Sequence, residues 1–171
     1  MSNKNRPIEV DGKIEWISRS IVISCVVLAK DKQGNNYVLL NQRGEAVNLT
    51  NLWNIPGGYL DYNETVDECA VREVFEETGV KIDLNKYKLS LIGIYSDPRG
   101  KKQNVLIIYG VVIDEFIEDI ELTDKYSEPD EVKDIKFIKL DELDKFEGEL
   151  LYNQPEFINK FKIMLKNAGK I

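Results

Sequence analysis

Residues 58–80 of this 171-residue chain read GYLDYNETVDECAVREVFEETGV. The second half has the boundary signals of a helix. Thr65-Val66-Asp67-Glu68 matches a capping box, in which the Thr65 hydroxyl accepts from the Glu68 N–H and the Glu68 carboxylate reaches back. Asp67 and Glu68 suit the positive end of the helix dipole, and Gly79 suits the left-handed position just past the end. Within that helix Glu73, Glu76 and Glu77 are spaced i+3 and i+4, so they share an arc of roughly 100°. Ala70, Val71 and Val74 lie beside it and can face a core. Three carboxylates near a helix C-terminus repel one another and the dipole, at a few tenths to about 1 kcal/mol per effect at a surface. Arg72 offsets part of this. Two readings follow: a solvated acidic face, or a site that a divalent cation completes. Oxygen-only ligation suits Mg2+ or Mn2+, and the Gly57 or Gly58 carbonyl can join such a ligand set, since glycine lets the backbone approach closely.

The rest of the composition narrows the chemistry. The chain contains no histidine, which removes His-based triads and proton shuttles and nearly all zinc enzymes. The formal net charge of −7 argues against a general nucleic-acid or membrane-surface binder. Hydrophobic residues at 43% and charged residues at 31% fit a soluble globular chain. Cys25 and Cys69 lack metal-ligand spacing and read as buried free thiols in a reducing compartment. The apolar runs Ile21–Ala29 and Val105–Ile113 are too short to cross a bilayer, and MSNKNRPIEVDG lacks the apolar segment of a signal peptide. A cytoplasmic protein is expected.

The length fits one domain over 1–171, with 1–12 as a loose lead-in. Ile21–Lys30 reads as a buried strand returning through the turn 31–36 into a second strand, 37–42. Residues 49–59 read as an irregular loop. Strands are expected at 89–95, 105–113 and 135–140, and an amphipathic helix at 155–167. Strands, a helix, strands and a final helix fit an α/β fold with helices packed on the faces of a mixed sheet.

Gly58, Glu64, Arg72, Glu73, Val74, Glu76, Glu77, Gly79 and Val80 fill every fixed position of the Nudix box, Gly, five residues, Glu, seven residues, Arg-Glu-U-x-Glu-Glu-x-Gly-U, with U bulky and aliphatic. The segment therefore resembles that of the Nudix hydrolases. The resemblance implies a Nudix-type α/β/α sandwich. It also implies Mg2+- or Mn2+-dependent cleavage of a pyrophosphate link in a nucleoside diphosphate joined to another group. Carried over, Glu73, Glu76 and Glu77 are metal ligands, with the Gly58 carbonyl beside them. One of these glutamates, or one from a later loop, deprotonates the attacking water. Arg72 holds the catalytic carboxylates, and Glu64 binds metal or steadies the loop. For the later glutamate Glu128 and Glu131 both qualify, with Glu131 preferred for its distance from the strand at 135.

The box leaves the second group open. Asp97-Pro98-Arg99-Gly100 resembles the DPRG stretch of ADP-ribose pyrophosphatase-type members, whereas Tyr95 falls near a tyrosine of dinucleoside-polyphosphate hydrolases. Arg43, Arg99 and Tyr95 are the candidate substrate contacts. Lys101 and Lys102 extend a local basic cluster, and Trp53 either stacks on a base or fills the core. Small-molecule partners are expected, with neither nucleic acid nor membrane, and a homodimer stays open. The competing functions are a (di)nucleoside polyphosphate or nucleoside triphosphate pyrophosphohydrolase, a non-catalytic nucleotide-sugar-binding domain, and a cysteine-dependent diphosphate isomerase, which the placement of both cysteines disfavours.

Overall fold

The computed structural model describes residues 6–99, 103–146 and 149–170. Its strands are β1 (Arg6–Val10), β2 (Lys13–Ile17), β3 (Ile21–Lys30), β4 (Asn36–Arg43), β5 (Trp53–Asn54), β6 (Gly57–Tyr59), β7 (Ser90–Tyr95), β8 (Val105–Phe116) and β9 (Val132–Lys139). The two α-helices are α1 (Val66–Thr78) and α2 (Gln154–Asn167).

The apolar run that forms β3 is the axis of a seven-stranded mixed sheet ordered β5-β4-β3-β8-β7, with β6 added to β3 and β9 to β4. The β3–β8 pair is parallel, from Ile21 opposite Val105 to Leu28 opposite Val112. The remaining pairs in the sheet are antiparallel. Both faces of β3 are covered, which is why it reads as an unbroken apolar run. Ile23, Cys25, Val27 and Ala29 enter one core with Cys69, Ala70 and Val74 of α1. Val26 and Leu28 enter a second core with Phe157, Ile158, Phe161 and Leu165 of α2. Phe157, Ile158 and Phe161 are almost fully buried, and each such burial contributes about 1.5–3 kcal/mol. The result is the expected α/β/α layering.

The elements near both helices follow their sequence signals closely. Two differences carry information. The lead-in expected over 1–12 is, from Arg6 on, the first strand of a hairpin with β2. Val10 pairs with Lys13 across a two-residue turn. Asp11 and Gly12 both take positive φ there, 51° and 74°, the conformation for which Asp-Gly is a strong hairpin signal. The loop expected at 49–59 holds β5 and β6, each too short to show a period of its own. Trp53 lies in the α2-side core, edge-on to Phe146 at 6.3 Å, so it fills the core and is not a stacking platform. Cys25 and Cys69 are buried free thiols. Lys101, Lys102 and Gly100 fall outside the described residues. No helix among the described residues is long and apolar enough to cross a membrane.

Candidate active site

The capping box forms: the Glu68 N–H donates to Thr65 Oγ1 at 3.2 Å and the Thr65 N–H to the Glu68 carboxylate at 2.7 Å. At the other end the Gly79 N–H donates to the Phe75 carbonyl. These caps, with Cys69, Ala70 and Val74 anchored in the core, set the rotation of α1 about its axis. That rotation brings Arg72, Glu73 and Glu77 against β6, with Glu76 held on Arg72.

Arg72 is the hub. Its Nε and Nη2 donate to the two oxygens of Glu64 at 2.9 and 2.8 Å, a bidentate fork. Its Nη1 donates to Glu73 at 2.8 Å and to Glu76 at 2.9 Å, and Nη2 also reaches the Tyr59 carbonyl at 3.1 Å. The arginine thus offsets Glu64, Glu73 and Glu76 at once, and of the three carboxylates whose repulsion the sequence shows it meets Glu73 and Glu76 and leaves Glu77. The fork holds the Glu64 carboxyl down at about 2, while burial works against it.

Glu73 and Glu77 are held differently. Glu73 lies directly over Gly58, where a Cβ would stand 2.5 Å from its Oε1. Burial raises its carboxyl to about 7, against the pull of Arg72 and reinforced by Glu76 and Glu131. Glu77 is buried and accepts one hydrogen bond, from the Gly57 N–H at 2.9 Å. Burial pushes its carboxyl well above the usual range, and the charges of Glu73 and Glu131 add to this.

Beside them lies a cleft of about 320 Å3 lined by Arg43, Asn48, Gly57, Gly58, Glu77 and Glu131, among others. Glu131 reaches it from the turn before β9, while Glu128 is not among its lining residues. Arg43 lines the cleft and donates from Nε to the Asn48 carbonyl at 2.7 Å. Two other candidates lie elsewhere. Tyr95 packs against Phe157 on the α2 side, with ring centroids 4.8 Å apart, and accepts from Lys160. Arg99 is exposed and forked onto Asp97. Asn48, Tyr59 and Asn104 line the cleft although nothing in their sequence context marks them. Hollows of about 390 and 400 Å3 elsewhere on the surface include none of the box carboxylates.

The donor set suits a hard cation. Glu73, Glu76 and Glu77 each commit one oxygen, to Arg72 or to Gly57, and the second oxygen of each has no hydrogen-bond partner among the described residues. The potential ligands are all oxygens, and the mutual repulsion of Glu73, Glu77 and Glu131 is of the kind that a divalent charge relieves. Among the described residues no three such groups already converge as a ligand cluster; Arg72 occupies the space between Glu73 and Glu76.

The profile of the NUDIX domain family matches residues 19–161. An ADP-ribose pyrophosphatase of Methanocaldococcus jannaschii is 44% identical over 62 residues, covering 34% of this chain and 34% of that protein. The chain spans about a third to a half of the length of the curated relatives it matches. Among solved structures, the NUDIX domain of Shewanella oneidensis NrtR complexed with ADP ribose superposes with a TM-score of 0.65 at 18% identity, over 87% of this chain and 90% of that one. A bifunctional NMN adenylyltransferase/ADP ribose pyrophosphatase from Francisella tularensis, complexed with AMP and a manganese ion, gives 0.65 at 21% identity, over 88% and 42%. At those identities the likeness is one of fold.

Proposed function

The chain belongs to the Nudix family, and from that premise we propose that it hydrolyses the pyrophosphate link of a nucleoside diphosphate joined to a second group, with ADP-ribose the first candidate. The observation that carries this reading is the Arg72 hub: one guanidinium orients Glu64, Glu73 and Glu76, while the charge of Glu131 bears on Glu73 and Glu77 from the cleft. The named activities of the Methanocaldococcus relative and the Francisella neighbour, and the ADP ribose bound by the NrtR domain, favour ADP-ribose.

Glu73, Glu76 and Glu77, with the Gly58 carbonyl, are the residues that would hold Mg2+ or Mn2+. Bound there, such an ion would supply charge neutralisation for the diphosphate and a lowered pKa for the attacking water. Arg72 keeps Glu64, Glu73 and Glu76 in their mutual arrangement beside the cleft and cannot itself give up its proton at working pH. Glu131 is not bound to Arg72, which leaves its carboxylate free to take the proton of the attacking water. Water adds to one phosphorus as the bridging P–O bond breaks. Arg43 stands where it can meet the diphosphate.

The test is a panel of ADP-ribose, nucleotide sugars, dinucleoside polyphosphates and nucleoside triphosphates with Mg2+ or Mn2+, with products identified by mass. AMP and ribose 5-phosphate from ADP-ribose are expected. Turnover of dinucleoside polyphosphates alone would keep the chemistry and replace the substrate. Tight binding without product across the panel would sink the hydrolase reading.

A further inference from the structure

Glu131 lies more than fifty residues from α1 in sequence, on a turn, yet the reading above needs its carboxylate aimed at Glu73 and Glu77. What holds it is backbone. The Gly44 N–H donates to the Glu131 carbonyl at 2.7 Å, and the Ala46 N–H to the Asp130 carbonyl at 3.0 Å. The loop that carries these donors is itself closed: the Arg43 N–H donates to Leu52 O at 3.0 Å and the Asn51 N–H to Arg43 O at 2.9 Å. Lys133, two residues past Glu131, donates across to the Asn51 side chain. The pairing of β4 with β9 shifts register at this point, between Gln42 and Arg43, so the regular ladder gives way to these two bonds. Asp130 takes a φ of 60°, which turns the strand entry at the clamp.

The contact tolerates no side chain. A Cβ on Gly44 would run into the Asp130 carbonyl oxygen, with the Asp130 carbonyl carbon at 2.8 Å and that of Glu131 at 3.0 Å. These are backbone atoms, so relief means moving the turn that carries Glu131. The same loop supplies Arg43 and Asn48 to the cleft wall. One strap therefore sets the position of the candidate base relative to the candidate phosphate contact.

We infer that Gly44 is a positioning residue for Glu131, acting through the two-bond backbone clamp between residues 44–46 and 130–131. The inference rests on the role proposed for Glu131. Displacing that turn lowers turnover while the substrate contacts that set KM stay in place.

The experiment is a double-mutant cycle on Gly44→Ala and Glu131→Gln, read by kcat, KM and the affinity for Mn2+ measured by electron paramagnetic resonance, with circular dichroism as the check on folding. Gly44→Ala is expected to lower kcat about 10–100-fold, as for a group misplaced by about 1 Å, with KM little changed and a weaker Mn2+ site. In the Glu131→Gln background the same change should cost nothing further. Ala46→Pro, which deletes the outer N–H of the clamp, should move kcat in the same direction and carries the test if Gly44→Ala fails to fold. Wild-type kcat and Mn2+ affinity in folded Gly44→Ala would overturn the inference, as would losses that add in full with a damaging Glu131→Gln. A Glu131→Gln variant with wild-type turnover would instead overturn the role given to Glu131 itself.

Discussion

Arg72 grips Glu64 with two of its nitrogens, Nε to Oε2 at 2.9 Å and Nη2 to Oε1 at 2.8 Å, across eight residues of chain. Glu64 sits in the loop before α1 and Arg72 within it, so the fork ties the loop to the helix and leaves Nη1 for Glu73 and Glu76. Its carboxylate is also anchored by the Asp61 N–H at 2.7 Å.

Arg72→Lys keeps the charge and loses the fork, because an ammonium cannot span both oxygens of Glu64 while serving Glu73 and Glu76. The variant is expected to lose about 1–3 kcal/mol of stability, the scale of charged hydrogen bonds discounted for partial exposure. Turnover should fall further than that loss explains. Equilibrium urea unfolding beside steady-state kinetics checks both; a variant with wild-type turnover would remove Arg72 from the site.

Glu64 and Glu73 give the metal-free protein opposite pH responses. Arg72 lowers Glu64 from 4.5 to about 2, so its contribution is present above 4.5 and is lost as pH falls toward 2. Burial raises Glu73 from 4.5 to about 7, so the unfolded chain gives up that proton first and stability declines as pH rises from 4.5 to 7. Urea midpoints measured in EDTA should fall across the upper window, and Glu73→Gln should flatten that fall. Adding Mg2+ should reverse it, because a ligand that binds only the folded state stabilises it.

Glu76→Gln and Glu77→Gln are expected to leave the fold in place, read by circular dichroism, and to lower turnover in a steady-state assay by about two to four orders of magnitude. Glu77→Gln should also raise the melting temperature of the metal-free protein, since it removes a carboxyl held far from solvent. Undiminished hydrolysis in both variants would end the hydrolase assignment for this cleft.

Gly58→Ala forces Glu73 off its seat, where the added Cβ would lie 2.5–2.6 Å from the carboxylate atoms. Affinity for Mn2+ should weaken about 10–100-fold, as when the support of a ligand is lost. Isothermal titration with Mn2+ reads this directly.

Tyr95→Phe should leave KM for ADP-ribose unchanged. The ring packs on Phe157 and the hydroxyl meets Lys160, both on α2. A raised KM would show that the substrate reaches across to that side of the sheet.

Much of the fold was legible because its causes are local. The capping box of α1, its glycine stop and its three carboxylates on one arc each depend on residues within a few positions of one another. The same holds for β3, whose apolar run reports burial on both faces. The Asp11-Gly12 turn is equally local, but the polar segment around it has the composition of a loose terminus. β5 and β6 are too short to display a period, so only their pairing with β4 and β3 defines them.

The amino-acid order by itself determined the chemistry on offer: oxygen ligands, one arginine among them, and no histidine, presented on a capped helix. Tertiary structure decided which groups meet. The antiparallel pairing of β4 with β9 brings Glu131 and Arg43 to one cleft, and the parity at the end of β7 turns Tyr95 toward α2. Arg72 finds Glu64 only because the loop before α1 folds back on the helix. A strand alternates its side chains between faces, and a turn closes where its backbone donors find acceptors. Those outcomes depend on register and on contacts between residues far apart in sequence, which no single stretch of sequence records.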